Sequence, residues 1–176
     1  MDTLARMYDH HIQLTGEILE RLGDLDDPTL DRTIELPVEH IDADLSLRRL
    51  ADRLVRQLEM WATAVEGGTQ IANGATTIAQ LRERLTEAEP RFRAAVLTPV
   101  QDGRAEETFV DATCTPPRTF SLGGVLAHVL TFSAVRRTMA IGALASAGVT
   151  DLGAGDPMNY VGGVGEDAST ITRNFE

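Results

Sequence analysis

Along this chain apolar residues return every three or four positions in four separate stretches, the period of a helix that buries one face. The first stretch carries Leu4, Tyr8, His11, Thr15, Ile18 and Leu22, with Asp2 as its N-cap and Gly23 as its end. The second runs from Ser46 to Glu66 on Leu47, Leu50, Leu54, Leu58, Trp61 and Val65, and Gly67 and Gly68 stop it. The third starts at Thr76 or Thr77 and shows Ile78, Leu81, Leu85, Ala88, Phe92 and Val96. Pro90 lies inside it, removes one backbone donor and predicts a kink. The fourth begins after Ser121 and ends near Gly148, with Val125, Val129, Phe132, Met139 and Ala143 on its expected buried side.

The segments between these stretches differ in character. Residues 24–44 hold eight acids (Asp24, Asp26, Asp27, Asp31, Glu35, Glu39, Asp42 and Asp44) against the single base Arg32. Their spacing lacks the central glycine and closing glutamate of a calcium loop, so a long solvated connection is expected there. Residues 99–120, with Pro99, Pro116 and Pro117 around ThrPheValAspAlaThr at 108–113, are expected to form an extended loop with room for a short strand pair. From residue 149 the chain turns glycine-rich, without the strand-then-helix pattern of a dinucleotide-binding turn. Its last ten residues are expected to be mobile or to pack only against a neighbour.

No one of these helices can hide its apolar stripe alone, and packing all four around one core does so. The fold class expected is all-α: a four-helix bundle over residues 1–150, followed by an irregular glycine-rich tail over 151–176.

Composition narrows the classes of function. A chain of 176 residues with 43% hydrophobic positions fits one domain. No stretch reaches the ~20 apolar residues that span a bilayer. The opening MDTLARMYDHH lacks the layout of a signal peptide, so a cytoplasmic protein without a membrane partner is expected. The lone Cys114 cannot form an internal disulfide and reads as structural, with Arg118 the nearest basic residue in sequence. The formal charge is −11, and all 16 bases are arginine. That bias is of the kind a GC-rich genome imposes, and a net negative surface argues against nucleic acid as a partner.

Two segments carry a family resemblance. Ser46 to Trp61 (SLRRLADRLVRQLEMW) resembles the second helix of the DinB-like superfamily, and Ala127 to Met139 (AHVLTFSAVRRTM) resembles its fourth. The opening helix with TyrAspHisHis at 8–11 is similar as well, so the likeness covers most of residues 1–150. The segment LeuGlyAlaGlyAspProMet, 152–158, looks like an extension of an actinobacterial subgroup.

The resemblance implies a divalent metal, nickel or zinc, held by one histidine of the second helix and an H-x-x-x-H pair of the fourth. Several relatives use such a site for thiol-dependent transfer or isomerisation. The corresponding positions here are Arg53, Phe132 and Arg136, and neither a guanidinium nor a phenyl ring offers a lone pair to a metal. The expectation is therefore a DinB-like domain that has lost its metal triad and expects no cofactor. It would serve as a small-molecule-binding or regulatory module, with a thiol transferase or isomerase as the alternative. A homodimer is expected by analogy with the family.

The candidate pocket residues are Arg53, His128, Phe132, Arg136 and His11. If Arg53 and Arg136 share a pocket, they need counter-charge. Asp9, Asp52 or Glu59 would make a structural ion-pair cluster, whereas a small acidic ligand would make an anion site. His11 and His128 read either as histidines satisfied by hydrogen bonds or, with Asp9, as an irregular metal site or acid–base couple. His10 and His40 are expected to be exposed.

Overall fold

A computed structural model describes residues 3–35, 45–69 and 77–158. The described chain is mostly helical: α1 (Thr3–Leu22), a short α2 (Asp27–Leu30), α3 (Leu47–Val65), α4 (Ile78–Phe92), a short α5 (Thr98–Gln101) and α6 (Leu122–Ser146). One antiparallel pair, β1 (Thr108–Asp111) and β2 (Arg118–Ser121), fills the proline-flanked stretch, Phe109 opposite Phe120. No described helix is long and apolar enough to cross a membrane.

The helix starts follow side-chain chemistry. Ser46 accepts from the Arg49 amide, Ser121 from the Gly124 amide, and Thr77 forms a reciprocal capping box with Gln80. Asp2, the expected cap of α1, lies outside the described residues.

Two short helices, α2 and α5, were not expected. The acidic stretch contains α2, because Asp26 accepts from the Thr29 amide at 3.0 Å and Pro28 presets the first turn. Leu30 then buries against the core, while Arg48 of α3 holds Asp27 and Asp31 at 2.5 and 2.7 Å. Pro90 does not end α4. A π-turn over Arg93–Leu97 follows directly and leads into α5.

Cross-helix contacts fix the directions of the four long helices. Arg93 bonds Asp9 at 2.7 Å and Arg82 reaches the Leu19 carbonyl at 3.0 Å, so α1 and α4 run antiparallel. Arg84 bonds Asp52 and Arg91 bonds Glu66, so α3 and α4 run parallel. Trp61 meets His128 and Gln57 meets Arg136, so α3 and α6 are antiparallel. Within this ring lies one apolar core containing Tyr8, Ile18, Leu50, Leu58, Phe92 and Val129. Each such side chain contributes roughly 1.5–3 kcal/mol when fully buried. Tyr8 stacks on Phe92 at 5.5 Å, and its hydroxyl donates to the Glu89 carbonyl at 3.1 Å. The strand pair covers Trp61 edge-on with Phe109 and Phe120.

The buried face of α6 departs from expectation. Leu126, Leu130, Ser133, Arg137, Ala140 and Leu144 face inward, whereas Phe132 is 43% exposed and Met139 and Ala143 are half-buried. Val125 and Val129 are buried as expected, and from Phe132 onward the true stripe is offset by about one residue, or ~100° around the axis. This helix is apolar on nearly every side, so its periodicity does not say which side the core will take.

Candidate functional site

The adjacent residues Arg136 and Arg137 project ~100° apart from α6 and enter different surroundings. Arg136 turns toward α3, where its Nη1 donates to Gln57 Oε1 at 3.2 Å. The Gln57 amide nitrogen in turn donates to the Ser133 hydroxyl and the Leu54 carbonyl. The Arg136 guanidinium sits over Phe132 at 5.7 Å, Phe132 stacks on His128 at 4.6 Å, and His128 meets the Trp61 edge at 5.7 Å. Burial, and then Arg136, lower the His128 pKa. Arg53 lies exposed on α3.

The expected counter-charges of Arg53 and Arg136 are engaged by other arginines. Asp9 is bonded by Arg93, and Asp52 and Glu59 by Arg84 at 2.9 and 2.5 Å. Arg53, Phe132 and Arg136 thus form no donor set that fits a divalent metal. Among the described residues no three His, Cys, Asp or Glu side chains gather where they could hold one.

Arg137 turns the other way, toward α1. It is only 7% exposed, and its Nη1 donates to Nδ1 of the fully buried His11 at 2.5 Å. An arginine can only donate, so Nδ1 must be the acceptor and the ring hydrogen sits on Nε2. The Thr15 hydroxyl spends its proton on the His11 carbonyl at 2.7 Å. That leaves His11 Nε2 and Arg137 Nε buried without hydrogen-bond partners. Among the described residues no carboxylate pairs with Arg137.

Burial pushes the Arg137 pKa down to about 10, so the group is still a cation at neutral pH. Burial, then Arg137 and His10, hold His11 well below the usual histidine range. His128 lies nine residues before Arg137, which places it on the opposite side of α6. His11 and His128 therefore belong to different sites. Asp9 joins neither through the bond it makes to Arg93.

A pocket of about 380 Å³ lies between α1 and α6, and Arg137 and His10 are its buried polar groups. His10, expected on the surface, is only 8% exposed. His40 lies outside the described residues. The pocket walls are chiefly Met7, Leu14, Leu130, Ala134 and Ile141, with the exposed Arg6 at the rim and no carboxylate among the lining residues. The nearest acids that act on His10 are Glu17 and Asp156.

The segment Ala154–Pro157 crosses the pocket as a strap. At Gly155 the backbone has φ +68°, and an added Cβ would lie 2.7 Å from Leu14 Cδ2 and 2.9 Å from Ile141 Cδ1. The positive φ favours glycine here, and a Cβ would also require the Leu14 and Ile141 side chains to shift. His10 hydrogen-bonds the Gly155 backbone, and Arg21 binds Asp151 at 2.7 Å just upstream.

Cys114 is not part of this pocket. Its thiol donates to Asp111 Oδ2 at 3.3 Å, and that bond raises its pKa, which disfavours the reactive thiolate.

Sequence reading thus found His11 but assigned the neighbouring arginine to it, and it missed His10 and the strap. One signal was present: Arg137 stands seven residues from both Leu130 and Leu144, so the register of the buried stripe carries a cation. No protein-family model matches this chain, and no curated protein or solved structure is similar to it.

Proposed function

We propose that this chain is a DinB-like four-helix bundle that has lost the divalent-metal triad and serves as a small-molecule-binding module for an organic anion. The bundle reading is supported by four long helices around one core and by the long connection from α1 to α3. Loss of the metal triad is supported by the chemistry of Arg53, Phe132 and Arg136, which supply no ligand atom.

One observation carries the anion-binding reading: a guanidinium 7% exposed, without a carboxylate partner among the described residues, lines a pocket of about 380 Å³. A buried charge without compensation costs several kcal/mol, and an anion in the pocket supplies the compensation. The forked donors of arginine suit a carboxylate, and Arg137 Nε has no partner among the described residues.

The test is thermal shift of the protein against acetate, butyrate, succinate, benzoate and phosphate, repeated with Arg137→Met. The intact protein is expected to gain stability with at least one of these anions, and the variant is expected to show no such gain. In the absence of added anion, Arg137→Met is expected to melt no lower than the parent. Removing an uncompensated buried cation relieves a desolvation cost of several kcal/mol, which outweighs the roughly 1–3 kcal/mol of leaving His11 Nδ1 without its donor. A steep loss of melting temperature would mean that Arg137 is structural and the reading is wrong.

A further inference from the structure

We propose that the α1–α6 pocket takes a monocarboxylate with an unbranched apolar chain, its head at Arg137 and its chain along Met7, Leu130 and Ala134. This rests on the anion-binding reading and names the class of ligand.

The head group follows from charge. The pocket has a single buried guanidinium, so a single negative charge balances it. Glu17 and Asp156 stand close enough to act on His10, and they oppose a second negative charge there. Phosphate and dicarboxylates are thereby disfavoured.

The chain follows from the walls. Leu14 and Ile141 meet near Gly155 on one side of Arg137. On α6, Leu130 and Ala134 precede Arg137 by seven and three residues, so they continue the wall for two turns in the other direction. Met7 lies one turn before His10 on α1 and faces the same space. A slot with one buried cation and walls of Leu, Met and Ala matches a carboxylate with a hydrocarbon chain better than a sugar acid or an amino acid. The latter would bring hydroxyl or ammonium groups to walls that are mostly apolar, with Thr3, Thr138 and His10 as the polar side chains besides the arginines.

The experiment is titration calorimetry with butyrate, hexanoate, octanoate, succinate and inorganic phosphate. The dissociation constant is expected to tighten about three- to fourfold per added CH₂, until the chain fills the slot. Succinate and phosphate are expected to bind more weakly than hexanoate. In the variant Ala134→Leu, at an exposed position of α6 that lines the slot, octanoate is expected to lose at least tenfold, and more than butyrate loses.

Phosphate or succinate binding as tightly as octanoate, or an affinity blind to chain length, overturns this inference and leaves the anion-binding reading standing. So does equal binding of octanoate by Ala134→Leu. Failure of every anion to bind overturns both.

Discussion

At the scale of single residues, the fold makes three histidines harder to protonate, His11 most of all. His10, His11 and His128 are all lowered from 6.5, with burial the largest cause in each case. In the unfolded chain they titrate near 6.5, so below that pH the unfolded state takes up protons that the folded state refuses. Stability from this source is fully present above pH 6.5 and is lost as pH falls. One strongly suppressed histidine costs about 1.4 kcal/mol per pH unit between its unfolded and folded values. Chemical denaturation between pH 7.5 and 5 is expected to show this decline. In His11→Gln, where the amide oxygen can still accept from Arg137, the slope is expected to be shallower. The carboxylates held low, Asp26, Asp31 and Glu107, start from 3.8 to 4.5 and add to the loss only in stronger acid. An unchanged slope in His11→Gln would show that His11 is not the group responsible.

The elements are joined by arginines as much as by the core. Arg84 of α4 binds Glu59 and Asp52 of α3 with its side chain only 13% exposed, and both parallel helices depend on this clasp for their register. Charge-assisted bonds of this kind are each worth roughly 1.5–3 kcal/mol, and Arg84→Met would leave two carboxylates facing an apolar chain. Its expected cost is about 2–3 kcal/mol in urea denaturation, after allowance for solvent access. Arg84→Lys is expected to recover only part, because an ammonium cannot match the fork that spans both acids. These clasps also show what the sequence could convey at this level. The start and end of α3 were legible in Ser46 and Gly67, since caps are local chemistry. The partner of Arg84 was not, because the parallel placement of α3 and α4 brings together residues 25 and 32 positions apart. The register of α6 was illegible for another reason: a helix apolar on nearly every side has no single face for the pattern to reveal.

For the whole molecule the strap after α6 matters most. Residues 151–157 are tied by Arg21–Asp151, and Gly155 then crosses between Leu14 and Ile141 to wall the pocket. Gly155→Ala is expected to lift this segment away, since its backbone conformation strains any residue with a Cβ and that Cβ would press on the Leu14 and Ile141 methyls. The four-helix core does not include Gly155. The melting temperature is therefore expected to fall by only a few degrees, corresponding to about 1 kcal/mol, while affinity for octanoate drops at least tenfold. Faster proteolysis near residue 155 would accompany it. Unchanged affinity would mean that the strap is a bystander to binding.

Local sequence was enough to place four helices, the starts of three of them at Ser46, Thr77 and Ser121, and the absence of ligating atoms at Arg53, Phe132 and Arg136, because periodicity, capping and side-chain chemistry act over a few residues. It was also enough to put His11 in the core. The tertiary structure alone decided that Arg137, rather than Arg136, meets His11, that His10 is buried, and that a glycine far along the chain walls their pocket. Adjacent residues on a helix point ~100° apart, and only the packing of α6 against α1 and α3 determines which of the two arginines is left inside without an acid.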